Sequence, residues 1–374
     1  MNLYFDNAAT TPLAPEVLQA MLPFMQQHYG NPSSIHAFGR LTRTAIEKAR
    51  KKIAGYLNCS PAEIFFTSGG TESNNFALNN SVNSLGVKRI ITSPIEHHCI
   101  LHTAENLAKT HNTNLEFVKL NDEGVVDLED LEAKCSTSKK DTLVSLMHGN
   151  NEIGNILPIN EVSEICIKHN CLFHSDTVQT MSRYKYDLQK TKMAFLNGSA
   201  HKFHGPKGIG FLYVSADYNC SPILFGGGQE RNMRAGTENL YGIIGLAEAL
   251  DIAYQNFDTI KENVNTLKQH FVDSLTKALP KTKFNGASFN NCLNTISNVN
   301  FENYSKKELL LLNLDIDGIC ASGGSACSSG VDTGSHVIKA LEKNVSGSIR
   351  FSFSKYNTKT EIDTLTKKLK VILS

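Results

Sequence analysis

The chain has 374 residues, 41% of them hydrophobic and 20% charged, the balance of a folded protein rather than a disordered one. Lys and Arg number 37 against 36 Asp and Glu, and a formal charge of +1 argues against a broad basic face, so no direct nucleic-acid contact is expected. A single core stops growing at this length, which leaves two domains or one large domain with an appendage.

Nine Cys are present, an odd number with no Cys-x-x-Cys pair; Cys166 and Cys171 are five apart, Cys320 and Cys327 seven. That spacing excludes a zinc ribbon and argues against a disulfide framework in so large a chain. The start, MNLYFDNAATTP, has no basic stretch leading into an apolar run, and no run of about 18 apolar residues follows anywhere. Neither a signal peptide nor a membrane span is expected, and the expected compartment is a reducing cytoplasm.

From about Gly30 to Val214, short β-rich runs alternate with helical patterns. Segments 63–67 (EIFFT), 89–93 (RIITS), 142–147 (TLVSLM), 172–175 (LFHS) and 210–214 (GFLYV) read as strands, most too continuously apolar for a solvated sheet face. Between them, 42–57 places Ala45, Ile46, Ala49, Ile53 and Ala54 at helical spacing, and 159–169 does the same with Ile159, Val162, Ile165 and Cys166. This alternation predicts an α/β domain with a largely parallel central sheet. Near Tyr241 a long helical region begins, reaching about Leu279 with a loop near Asn256. Further strands at 294–299 and 348–353, a helix at 305–314 and a terminal helix at 359–373 read as a smaller α+β domain.

Four segments carry chemistry. Directly after EIFFT, Thr67-Ser-Gly-Gly-Thr-Glu-Ser-Asn-Asn75 leads from a strand through two glycines into a helix, which exposes amides that can bind phosphate. It also reads as a plain strand–turn–helix junction with Thr71 as the cap. In Asn197-Gly-Ser-Ala-His-Lys-Phe-His-Gly-Pro-Lys-Gly, Lys202 lies off any helical face, where a Schiff-base lysine could sit; a hairpin loop with two basic residues is the alternative. His201 and His204 have no local carboxylate or Cys cluster, so no metal is expected. Asp176 follows the run LFHS at the carboxyl end of a strand, where open α/β sheets place ligands. With a phosphate loop and a lysine it completes the set a pyridoxal phosphate enzyme needs. Finally, 320–334 (CASGGSACSSGVDTG) has eleven of fifteen residues as Gly, Ser, Ala or Thr. It reads as a mobile loop carrying a reactive thiol at Cys327, or as a linker with an incidental Cys.

Taken together, these blocks resemble the cysteine desulfurases, the NifS/IscS-like, pyridoxal-phosphate-dependent members of the class-V aminotransferases. The resemblance runs through YFDNAATTP, GNPSSIHAFGR, FTSGGTESNN, PIEHHCIL, SLMHGNNEIG, FHSDTVQ, SAHKFHGPKGIG, GGGQERNMRAGTEN, SGGSACSSG and SIRFSFS, in family order. It implies the fold type I architecture: a large cofactor domain over 15–256, and a small domain from 1–14 and 257–374 carrying the Cys loop at about 320–334. It implies a homodimer with active sites at the subunit interface. By motif position, Lys202 would hold the cofactor aldehyde and remove the substrate α-proton. Asp176 would pair with the pyridine nitrogen, and Gln179 and Asn151 would approach the ring's phenolic oxygen. His97 would stack on the ring and serve in proton transfer. Gly70, Thr71, Ser199 and His201 would hold the phosphate, joined by Thr237 from the partner subunit. Arg350, with Asn151 beside it, would bind the substrate carboxylate, and Cys327 would be the nucleophile.

The implied activity converts L-cysteine to L-alanine, leaves a persulfide on Cys327 and passes the sulfur to an acceptor protein, an iron–sulfur scaffold or a tRNA-thiolation relay. Selenocysteine lyase or cysteine-sulfinate desulfinase activity is the nearest alternative, and a non-catalytic sulfur-transfer scaffold the alternative of another class. Three features depart from the common pattern. Thr177 puts a hydroxyl and a β-branch where the family has Ala under the ring, Gly149 stands where a small apolar residue is commoner, and the chain stops soon after its last helix.

Overall fold

The computed structural model describes residues 3–137, 141–222, 224–287, 291–304, 309–324, 334–343 and 347–374. After a short strand β1 (Leu3–Tyr4) come helices α1 (Pro15–Gln26) and α2 (Ala37–Leu57). The run 42–57 is only the later part of α2, which starts earlier because the His36 side chain accepts a hydrogen bond from Gly39 N–H and so caps the helix. Gly39 is a poor helix former held there by packing: a Cβ at that position would lie 2.3 Å from the carbonyl oxygen of Ser34.

The central sheet is built from β2 (Ile64–Thr67), β3 (Arg89–Thr92), β4 (Asn114–Phe117), β5 (Thr142–Ser145), β6 (Leu172–Ser175), β7 (Phe195–Ser199) and β8 (Gly210–Val214). Their order across the sheet is β2-β8-β7-β6-β5-β3-β4, and the pairs from β7 to β4 are all parallel, with β8 antiparallel to both neighbours. The crossovers carry α3 (Gly70–Asn83), α4 (His98–His111), α5 (Leu128–Ser136) and α6 (Ile159–Lys168). Every residue of β5 to β8 is buried, which explains apolar runs such as Phe211–Val214 of β8, while polar residues such as His174 of β6 and Asn197 of β7 are buried with hydrogen-bond partners, here Asn74 and Thr177. Two apolar cores flank the sheet. One joins α2 residues such as Ile53 and Leu57 to Phe66, Val144 and Phe211, and the other joins Phe76 and Leu78 of α3 to Ile100, Leu143 and Phe195.

Helices α7 (Leu240–Gln255) and α8 (Phe257–Ala278) form the long helical region and break at Asn256. Beyond them, β9 (Lys283–Asn285), β10 (Ile296–Asn300), α9 (Leu310–Ile316), β11 (Ile319–Cys320), α10 (His336–Ala340), β12 (Ser348–Ser352) and α11 (Lys359–Leu373) complete the chain. The expected helix at 305–314 begins at Leu310 among the described residues; 305–308 lie outside them. The antiparallel sheet β12-β10-β9 packs on α8 and α11 around Phe271, Phe351 and Leu369, a core that also takes in Leu3 and Phe5 from the chain start. β1 pairs in parallel with β11, so both chain ends share this second core, and Cys320 is fixed in a strand rather than in the Gly/Ser loop.

One buried ion pair ties α2 to the segment leading toward Thr237. Arg50 donates to both carboxylate oxygens of Glu230 at 2.8 and 2.7 Å, and Phe66 N–H donates to the same carboxylate at 2.7 Å. Both side chains are only 3% exposed. Burial opposes the Arg50 charge, but the Glu230 carboxylate more than offsets it and holds the guanidinium pKa above its ordinary value. Removing one partner strands the other charge in the interior, so Glu230→Gln is expected to destabilise the fold by about 3 kcal/mol, read as a lower urea midpoint.

Candidate active site

The central strands end at one edge of the sheet, and the connections that follow them converge on a cleft of ≈ 220 Å³. After β2, Gly69 adopts φ 153°, a conformation glycine tolerates, and swings the chain so that α3 starts at Gly70. A Cβ on Gly70 would lie 2.6 Å from Val178 Cγ2, so the close approach of the two loops needs this glycine. Thr71 is therefore inside the first helical turn and is not the cap. The free amides of this turn face the cleft beside Ser199 and His201.

Asp176 sits directly after β6. Its carboxylate accepts Asn74 Nδ2–H at 2.7 Å and Val178 N–H at 3.0 Å. Asn74 is itself fully used: its Oδ1 accepts from Asn197 Nδ2 and from His174 Nε2, and its Nδ2 also reaches Cys99 Sγ at 3.2 Å. Thr177 does not face the cleft. It is completely buried, its hydroxyl donating to the Asn197 carbonyl and its N–H to Asn197 Oδ1 at 3.0 Å, and the residue presented to the cleft is Val178.

Lys202 ends a 3-10 turn after β7, and its Nζ donates to the carbonyls of Ala8 and Ala9 at 2.8 and 2.9 Å. Gln179 Nε2 donates to the same Ala8 oxygen at 2.9 Å, His201 Nδ1 pairs with Thr10 Oγ1 at 3.1 Å, and Arg350 Nη2 donates to Asp6 Oδ1 at 2.8 Å. The segment Asp6–Thr10 thus seams four site residues into register. Arg350 is 1% exposed and also donates through Nη1 to the Asn151 carbonyl at 2.7 Å. Its Nε–H is buried and has no partner among the described residues, which leaves a donor for an arriving carboxylate.

His97 precedes α4 and caps it, its Nδ1 accepting Cys99 N–H at 3.2 Å. Burial lowers its pKa; the nearby Asp176 carboxylate opposes this and Lys202 adds to it, so the ring is neutral near pH 7 and able to accept a proton. Burial, with Lys202 beside it, lowers His201 to about 4.

The cleft therefore gathers Gly70, Thr71, His97, Asn151, Asp176, Gln179, Ser199, His201, Lys202 and Arg350. Thr237 is exposed and does not line it, and Cys327 lies outside the described residues.

The family model for class-V aminotransferases matches residues 3–365. A cysteine desulfurase named IscS from Dictyoglomus turgidum is 43% identical over 368 residues, covering 96% of this chain and 92% of its own. A solved structure of a NifS-like protein superposes with a TM-score of 0.91 at 37% identity, covering 100% and 99% of the two chains. The chain belongs to the cysteine desulfurases of the class-V aminotransferase family. A further solved structure, SspA in complex with cysteine, has a TM-score of 0.79 and 30% identity, covering 95% of this chain and 100% of that one.

As a cysteine desulfurase it is an enzyme that works with pyridoxal phosphate. The residues present fit that group: α3's free amides for the phosphate, the Lys202 amine for the aldehyde, Asp176 for the ring nitrogen and His97 for the ring face.

Several thiols of the desulfurase are unsuited to nucleophilic work. Burial pushes Cys99 up to about 12, with the Asp176 charge adding to the effect, although it touches the cleft and lies 3.0 Å from His97 Nδ1. Burial also raises Cys59 to about 12 and Cys220 to about 11, and Cys166 well above its ordinary value.

Asn74, Asn197, His174 and Asp6 were not assigned roles from sequence. The one available signal is that Gly70 and Asn74 are four apart and so share a face of α3. The wiring behind them also makes the fold acid-sensitive. Burial lowers His174 and His148 to about 3, so the unfolded chain binds protons that the native one refuses. Stability from these two rings is complete above about pH 6.5 and is lost as pH falls toward 3, at about 1.4 kcal/mol per pH unit for each. The urea midpoint is expected to drop clearly between pH 6.5 and 5.5.

Among the described residues no helix is long and apolar enough to cross a membrane.

Proposed function

We propose that this enzyme takes sulfur from L-cysteine, leaving L-alanine and a persulfide on Cys327. The observation that carries the reading is the convergence of Lys202, Asp176, His97 and Arg350 on one cleft. Pyridoxal phosphate, when bound, supplies an electron sink for the substrate carbon. Arg350 orients the substrate carboxylate through its spare donors, held in place by Asp6 and the Asn151 carbonyl. Lys202 removes the α-proton and His97, neutral, handles a second proton. The Cys327 thiolate attacks the substrate sulfur: an S–S bond forms, the C–S bond breaks, and its electron pair stays on the carbon that is protonated to alanine.

The flanks of the Cys327 segment support this role. Ser322 and Arg350 exchange backbone hydrogen bonds at 3.3 and 2.7 Å, Ser335 donates to Glu152 beside Asn151, and His336 Nε2 pairs with the Glu96 carbonyl next to His97 at 2.9 Å. Both ends of the segment are tied at the rim of the cleft.

The finer features of the proposal are a homodimer in which Thr237 reaches the partner's phosphate site, a division into 15–256 and 1–14 plus 257–374, a cytoplasmic setting, and a sulfur-accepting protein as partner. Exposed apolar side chains at Tyr29, Ile35, Phe38 and Phe225 support the dimer. The test is the rate of product release from L-cysteine, L-selenocysteine and L-cysteine sulfinate. L-cysteine is expected to give persulfide and alanine; turnover of selenocysteine or sulfinate alone would overturn the reading.

A further inference from the structure

Behind the lysine, away from the cofactor cleft, Arg183 stands at the junction of two further clefts of ≈ 40 and ≈ 290 Å³. Its Nη1 donates to the Gln179 carbonyl at 3.0 Å and its Nη2 to the Lys202 carbonyl at 3.0 Å. Those two bonds fix the backbone of two active-site residues, yet they use only two of the five guanidinium donors and supply no opposite charge. Among the described residues no carboxylate pairs with Arg183, and burial lowers its pKa to about 10. Arg183 is half-buried, and a charge partly withdrawn from water is ordinarily paired.

A second, independent observation points to the same space. Thr295 lines both clefts, is 6% exposed, and its Oγ1 is buried with no partner among the described residues. Lys261 lines the larger cleft and Lys355 the smaller, while among the described residues no Asp or Glu lines either. The remaining walls include Phe257, Ile260, Val264 and Leu293. A planar guanidinium with spare donors, a lone hydroxyl and apolar walls together suit a carboxylate carried on an apolar body.

We propose that this paired cleft is a binding site for a small organic carboxylate, held by Arg183 and Thr295 and separate from the substrate site at Arg350. The bound carboxylate supplies the charge Arg183 lacks and the partner Thr295 lacks, without displacing the bonds to Gln179 and Lys202.

The test uses 4-fluorobenzoate as the probe, followed by fluorine NMR on the holoenzyme. Binding is expected at millimolar probe, undiminished by saturating L-alanine, and absent for the neutral 4-fluorobenzamide. Thr295→Val should weaken it about tenfold, the loss of one hydrogen bond to a charged group, and Thr295→Ser should restore it. Because Val removes a hydroxyl that has no partner, folding should not suffer. Arg183→Gln should weaken binding at least as much. No binding to the wild type, displacement by L-alanine, equal binding of the amide, or unchanged binding in Thr295→Val would each overturn the proposal.

Discussion

Lys202→Ala is expected to leave a folded protein that retains pyridoxal phosphate only non-covalently and releases alanine at a rate lower by about 10²–10⁴-fold, the scale of a lost proton-transfer group. The geometry gives the reason. Lys202 Nζ is held by two carbonyls, Ala8 and Ala9, and its backbone is held by Arg183, so the amine is aimed before substrate arrives. Alanine removes the amine but leaves the phosphate-binding turn of α3 and Asp176 in place. The visible absorption of a lysine-bound cofactor should vanish while the cofactor remains bound after gel filtration. Unchanged absorption would contradict the assignment of Lys202.

Cys327→Ala is expected to act on the other half of the reaction. The absorption of the lysine-bound cofactor should be unchanged, because no residue assigned to hold the cofactor is altered. Sulfur delivery to an acceptor should fall by about 10⁴-fold or more, the loss seen when a catalytic nucleophile is deleted. The remaining thiols offer a poor substitute. Cys99 touches the cleft, but burial holds it at about 12, so almost none is thiolate near neutral pH. Cys320 is paired into β11 through its backbone and faces a different set of constraints from a residue in a loop of small side chains.

The sequence was most readable where chemistry and local pattern coincide. Lys202, Asp176, Gly70 and Arg350 each lie in a short motif, and the runs LFHS and GFLYV coincide with β6 and β8. What was hidden is long-range. Strand β7 contains Asn197-Gly198-Ser199, residues that favour turns, yet Asn197 is completely buried because Thr177 and Asn74, both distant in sequence, absorb its polar groups. Thr71 reads as a helix cap because Ser and Thr are common there, but the cap is Gly69, at positive φ, and α3 starts two residues earlier than a Thr71 cap would place it. Its position next to Asp176 reads Thr177 as lying under the ring, whereas the turn after β6 directs it to Asn197 and gives the cleft to Val178. The Asp6–Thr10 seam joins residues nearly 350 positions apart, as in Arg350 to Asp6, and no spacing rule reaches that far.

The central claim is that sulfur leaves L-cysteine on one particular thiol. Incubating the holoenzyme with L-cysteine, trapping persulfides with an alkylating reagent and mapping them by peptide mass spectrometry tests it most directly. The account predicts one extra sulfur on the peptide containing Cys327, and none there in Lys202→Ala. Sulfur on Cys99, Cys320 or any other cysteine in its place would contradict it.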